Sequence, residues 1–234
     1  MDAERDTTAA TSSGREVSLP AKETSGDEEL TGDLAGLDNP GGLVVFVHGS
    51  GSSRHSPRNV AVAERLNGTG LATLLLDLLT PRERLQDELD GRLRFDVELL
   101  TARVLGVLDW ISERGELRNR PLGLFGASTG AAAALGAAVR RPHDVRAVVS
   151  RGGRPDLTTE RVAALRAPTL LIVGERDSEV LRLNENVARH IPIDHEVHRV
   201  PGATHLFEEN GALRQVAEVA GAWFSRYLST TATA

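Results

Sequence analysis

From Leu43 onward the chain alternates short, unbroken aliphatic runs with longer segments of helical period, and this alternation admits few folds. Five mainly apolar runs stand out, "LVVFV" (43–47), "LATLLLDLL" (71–79), "PLGLFGA" (121–127), "VRAVVS" (145–150) and "PTLLIVG" (168–174), and a sixth, more polar run, "HEVHRV" (195–200), reads as the last strand. A continuous apolar run is how a strand reads when both its faces are covered, as in a parallel sheet. Between the runs lie helix signals. Ser56 is a candidate N-cap, with Pro57 at the first helical position and Gly68 as a stop. Residues 94–115 set Val97, Leu100, Val104, Val107, Leu108 and Ile111 at helical spacing. Further helices are expected over 128–141, 158–165, 178–191 and 210–228, while the charged stretch 82–93 reads as a loop with a helical turn. Upstream, "EVSLP" and "LTGDLAG" supply one or two antiparallel edge strands. The expected fold is α/β, a doubly wound, mostly parallel sheet with helices on both faces.

Length and charge bound the rest. A chain of 234 residues suits one globular domain, expected over residues 16–230, behind a disordered lead-in of residues 1–15. With no cysteine, disulfides, thiolate nucleophiles and cysteine-ligated metals are excluded. Lys22 is the only lysine, so neither a Walker loop nor a Schiff-base lysine is available in the folded region. The first 38 residues carry ten acids against Arg5, Arg15 and Lys22, which accounts for the net charge of −6. No basic stripe exists and aromatics are 3%, which argues against nucleic acid as a partner. The N-terminus lacks the basic and apolar regions of a signal peptide, and no apolar run approaches the roughly 20 residues of a membrane helix. A cytoplasmic protein with no membrane partner is expected, monomeric or homodimeric.

In a doubly wound sheet, ligands bind beyond the carboxyl ends of the strands. Four such loops carry chemistry. "GASTG" (126–130) fits Gly-x-Ser-x-Gly between a strand and a helix, the context of a nucleophile elbow, where Ser128 would sit on a sharp turn. The alternative is a serine that caps the helix. A serine hydroxyl needs a base, and the base needs an orienting acid, in the chain order Ser, Asp or Glu, His. Asp177 follows the fifth run and His205 the sixth, in that order and at the same sheet edge. For Asp177 the alternative is an N-cap, and for His205 a plain loop histidine; Glu175 and Asp156 are fallback acids.

Together "VVFVHGSG", "GLFGASTG", "LLIVGERD" and "VPGATHLFEE" resemble the α/β-hydrolase fold over about residues 44–228. Within it the chain is similar to the small branch without a lid domain around dienelactone hydrolases and short carboxylesterases. "HGSGSSRHSPRN" (48–59) carries the likeness most closely. The resemblance implies that His48 and Gly49 open the oxyanion loop and that the N–H groups of Ser50 and Thr129 form the hole. It departs at the nucleophile, since typical dienelactone hydrolases use a cysteine. Residues 151–167 leave room for only a loop and a short helix where a lid would be inserted, so an open site is expected. Gly51, Arg54, His55 and Arg151 are candidate substrate contacts, and Arg58 and Arg154 lie near them; guanidinium groups there could attract a substrate carboxylate, against the alternative of capping and solvation.

Two other classes are weighed. A short-chain dehydrogenase would need its glycine turn after the first strand and a Tyr-x-x-x-Lys pair, but the lone tyrosine is Tyr227 and the lone lysine Lys22. A non-catalytic hydrolase-like binding protein is discriminated only by activity. His195 and His198 lie three apart on a strand and would face opposite sides, so no metal is expected. The reading is a serine hydrolase of small esters, including lactones or thioesters, acting on a small-molecule ester without a cofactor, with Ser128, Asp177 and His205 as its triad.

Overall fold

The computed structural model describes residues 14–22, 28–158 and 162–229. Eight strands form one sheet: β1 (Arg15–Pro20), β2 (Glu29–Ala35), β3 (Leu43–Val47), β4 (Ala72–Leu76), β5 (Leu122–Ala127), β6 (Val145–Arg151), β7 (Thr169–Gly174) and β8 (His195–Val200). Their spatial order is β1-β2-β4-β3-β5-β6-β7-β8. From β4 to β8 every pairing is parallel, while β1 and β2 are antiparallel additions at one edge. The doubly wound sheet and both edge strands thus stand as the sequence implies.

Strand periodicity divides the core in two. On β3, Leu43, Val45 and Val47 enter the cluster beneath α3 (Val97–Ser112), α4 (Thr129–Arg140) and α5 (Ser178–Ala188). Val44 and Phe46 enter the other cluster, beneath α1 (Pro57–Gly68) and α6 (Ala212–Leu228). Both faces are dry, which is why the strands read as unbroken apolar runs. Alanine dominates α4 for a related reason: Ala131 to Ala134 are fully buried, and at Gly136 a Cβ would stand 2.9 Å from Thr101 Oγ1 of α3. No bulkier helix fits between β3, β5 and α3.

Two expectations change. Residues 82–93 are not an indefinite loop: α2 (Pro81–Asp90) is a ten-residue helix, followed by a 3₁₀ turn at Leu93–Phe95. Thr80 caps α2 through the Glu83 N–H while the Glu83 side chain accepts from the Thr80 N–H, a reciprocal capping box. The short helix expected over 158–165 falls partly on residues outside those described; a 3₁₀ turn at Pro155–Thr158 precedes it. Of the lead-in expected over 1–15, residues 1–13 are likewise outside the described set, and Arg15 opens β1. No helix among the described residues is long and apolar enough to cross a membrane.

Candidate active site

The glycines around Ser128 answer to their neighbours. A Cβ at Gly126 would overlap Ala131, and one at Gly130 would overlap the main-chain oxygens of Val47 and His48. Between them Ser128 adopts φ 51° and ψ −123°, a backbone conformation rarely taken by a residue with a side chain. Holding it costs about 1–3 kcal/mol, and three hydrogen bonds pin it. Its N–H donates to the Arg151 carbonyl at 3.1 Å, and its own carbonyl accepts from Ala131 at 3.1 Å and Arg154 at 3.2 Å. The Ser128 hydroxyl makes no capping bond to α4, so capping does not explain this serine.

The same holds for Asp177. It stands at the N-cap of α5 yet makes no side-chain capping bond. Its carboxylate turns instead to His205, whose Nδ1 lies 2.6 Å from Asp177 Oδ2. A carboxylate only accepts, so Nδ1 carries a proton, and in the neutral ring it is Nε2 that keeps the lone pair. Glu175 is occupied elsewhere, accepting the Gly202 N–H at 2.8 Å, and Asp156 holds Arg154 in a two-pronged pair at 2.8 Å. Neither fallback acid meets the imidazole. Ser128 Oγ and His205 share no hydrogen bond in this arrangement. They share a corner: Arg151 accepts the Ser128 N–H, and a Cβ on Gly152 would stand 3.4 Å from His205 Cε1.

The loop after β3 packs against this corner, where a Cβ on Gly49 would lie 2.9 Å from Ser128 Cβ. His48 anchors the loop. Its Nε2 accepts the Leu78 N–H at 3.2 Å and its Nδ1 donates to the Gly49 carbonyl at 2.9 Å. Burial lowers the His48 pKa against the raising effects of Gly49 and Asp77, so the ring is a neutral brace between the β3 and β4 loops. The Ser50 N–H donates to Thr129 Oγ1 at 2.8 Å. Thr129 is thereby tied to the loop by its hydroxyl, at the first position of α4.

Of the candidate substrate contacts, Arg54 spends all its nitrogens on the protein. It donates to Asp77 at 2.6 Å, Asp33 at 3.1 Å and Glu16 at 2.9 Å. Burial would raise the Asp77 pKa, but the Arg54 hydrogen bonds and the charges of Arg84 and Arg54 outweigh it and hold the carboxyl low. His55 is largely exposed with Nδ1 3.7 Å from Asp33. Gly51, at φ 68°, faces Arg94 Nη1, which would lie 3.8 Å from a Cβ there. Arg151 is buried, with its guanidinium 5.9 Å above the Phe207 ring.

A cavity of about 550 Å³ flanks the loop. Residues 48–53 form one wall; Asp77, Leu79, Arg84, Asp87 and Arg94 form the other, on the β4 loop, α2 and the turn after it. Ser128, Asp177 and His205 do not line it, and it adjoins the serine only through Gly49. This α2 wall was missed in the sequence; the signal was Thr80-Pro81-Arg82-Glu83, a capping box with proline at the first helical position. Among the described residues no three His, Cys, Asp or Glu side chains gather as a metal site requires.

Comparison with known proteins bears on the family and the fold. The model of the dienelactone hydrolase family matches residues 33–233. A dienelactone hydrolase of Anabaena variabilis is 46% identical and superposes with a TM-score of 0.89, over 93% of this chain and 99% of that one. Est1E of Butyrivibrio proteoclasticus, 15% identical with a TM-score of 0.74 over 92% of this chain and 99% of its own, shares the fold. Two Mycobacterium tuberculosis proteins bearing the name "Putative phosphoribosyl transferase" are 52% identical over 204 residues, 87% of this chain and 45% of theirs. The chain therefore spans less than half the length of those curated relatives.

Proposed function

The chain belongs to the dienelactone hydrolase family, and from that premise we propose that it hydrolyses small carboxylic esters, including lactones or thioesters, through Ser128, His205 and Asp177. One observation carries the reading: the 2.6 Å bond from His205 Nδ1 to an Asp177 carboxylate that forgoes capping its own helix. That bond leaves Nε2 free to accept a proton. In the reaction His205 Nε2 takes the Ser128 hydroxyl proton as Oγ attacks the ester carbonyl, closing a contact that substrate binding draws tight. Asp177 supports the imidazolium that forms. The imidazolium returns its proton to the leaving alcohol, and water, deprotonated by the same nitrogen, then releases the acid from the acyl-serine.

The oxyanion is assigned to the N–H groups of Thr129 and Ser50. Because the Ser50 N–H rests on Thr129 Oγ1, it must turn from that hydroxyl to the developing charge. The 48–53 loop and the α2 wall make room for one side of a small substrate. The name of the M. tuberculosis relatives describes proteins about twice this length, and nothing in the site here favours phosphoribosyl transfer over acyl transfer.

Labelling by a fluorophosphonate probe tests the assignment. The parent protein should label and Ser128→Ala should not. Equal labelling of both overturns the choice of nucleophile, and labelling of neither favours a catalytically silent binding protein.

A further inference from the structure

We propose that the outer face of α2 is an interface between two copies of this chain, packed antiparallel about a twofold axis at Leu85. Among the described residues five large hydrophobic side chains are exposed, and three of them fall within residues 85–95: Leu85 at 66%, Leu89 at 82% and Phe95 at 59%. Leu85 and Leu89, at i and i+4, lie one above the other on α2. Asp87, the one buried residue of the helix, sits between them in sequence and so points the opposite way. The leucine stripe therefore takes no part in the protein's own core. Concentrated apolar exposure of this kind marks an interaction surface.

The charges on this helix select its occupant. The last turn of α2 holds Asp87, Glu88 and Asp90 and no basic residue, while the first turn holds Arg82 and Arg84 beside Glu83. Acids at a helix C-terminus and arginines at its N-terminus oppose the macrodipole. Within one copy Asp87 is offset by Arg94, and Arg84 pairs with Asp77. Glu88 has no ion-pair partner among the described residues, and Arg82, 80% exposed, reaches only Glu28, at 3.8 Å. An antiparallel copy centred on Leu85 brings Arg82 level with Glu88 of the second copy, and symmetry makes that pair twice. It also lays the positive end of each helix beside the negative end of the other.

Shape agrees with charge. A hollow of about 290 Å³ opens beside Leu85, with Thr31, Leu79 and Pro81 among its walls. In the same register Leu89 of the second copy falls level with Pro81. Side chains on a helix lean toward its N-terminus, so that leucine projects toward Leu85 and the hollow. Each copy thus offers one leucine and receives one, which closes the pair and leaves no free surface for a filament. Glu88 also lines the cavity beside the 48–53 loop, so the pairing sets Arg82 of the second copy at the rim of that cavity. The pairing itself does not depend on the ester hydrolysis proposed above.

An interface built on one ten-residue helix is at the small end of those that hold in solution, so its Kd should be roughly micromolar. Sedimentation velocity across protein concentrations that bracket this value should show monomer and dimer and nothing larger. Leu85→Ser/Leu89→Ser, which removes no core contact, should be monomeric throughout, with thermal unfolding to verify that it is folded. Arg82→Glu and Glu88→Arg should each weaken the dimer at least roughly tenfold, because each sets like charges across the axis. The double exchange Arg82→Glu/Glu88→Arg should restore it, a rescue that a loss of fold would not give. Since the chain has no cysteine, Leu85→Cys treated with diamide should yield a disulfide-linked dimer, and Glu218→Cys, exposed on α6, should not.

A parent that stays monomeric at every concentration overturns the proposal and leaves the face to a different protein. Larger oligomers overturn it as well, and so does a dimer that the two serines leave intact. A double exchange that fails to rescue, or equal cross-linking of the two cysteines, overturns the antiparallel register.

Discussion

Replacing Asp177 by asparagine removes one charge and almost no volume, and its effect can be worked from a single distance. Asp177 Oδ2 lies 2.6 Å from His205 Nδ1, and the aspartate side chain is only 15% exposed. When the imidazole takes the serine proton, that carboxylate faces a full positive charge. At an effective dielectric of about 20, two unit charges at this separation attract by about 6 kcal/mol, an upper figure because the imidazolium charge is spread over the ring. Asparagine offers no charge, and its amide N–H can donate to Nδ1, which moves the ring proton to Nε2 and disables the base. Each 1.36 kcal/mol is tenfold in rate, so kcat/KM for an aryl acetate should fall by about 10³ to 10⁴. The loss should lie in kcat with KM little changed, since no substrate contact is removed. The assay is stopped-flow hydrolysis with urea denaturation of parent and variant in parallel. An Asp177→Asn protein, folded and within threefold of the parent, would refute both the acid and the direction of the proton.

Three further outcomes are expected. Ser128→Gly should abolish ester hydrolysis while raising stability by about 1–3 kcal/mol in urea unfolding, because glycine relieves the strain of φ 51°; a destabilised variant would show that the turn is not strained. Gly130→Ala should cost about 1–3 kcal/mol or more, since its methyl overlaps two main-chain oxygens, whereas Gly115→Ala, with nothing within 4 Å, should stay within about 0.5 kcal/mol by the same measurement. Stability should decline as pH falls below about 6.5: the His48 pKa is lowered in the fold, so the unfolded chain binds the proton first and its gain is lost to the native state. His48→Asn should flatten that slope between pH 7 and 5, and an unaltered slope would show that His48 does not set it.

Legibility followed the physics of burial. β3 to β7 could be read because both faces of each are covered, so nearly all of their residues are buried and most are apolar. The meeting of Asp177 and His205 was legible because a parallel sheet delivers successive strand ends to one edge, and their bond joins residues 28 apart in sequence that way. α2 escaped because it buries only Asp87, while Leu85 and Leu89 face solvent, so it carries no apolar stripe. It is held by caps and by ion pairs, Glu83 to Arg103 and Asp87 to Arg94, which leave no period in the sequence. Arg54 escaped for a different reason. Its three carboxylate partners come from β1, β2 and the end of β4, and no spacing announces that those elements adjoin the 48–58 loop.

That Arg54 web bears on how short the protein can be made. The family match opens at residue 33, which makes that residue the natural place to trim by homology alone. Such a cut would remove β1, most of β2 and the Glu16 carboxylate, one of the three that hold the arginine steadying the loop beside the nucleophile. A chain begun at Asp33 should therefore unfold at lower urea than one that keeps β1 and β2, because the edge of the sheet and its tie to the nucleophile loop go together.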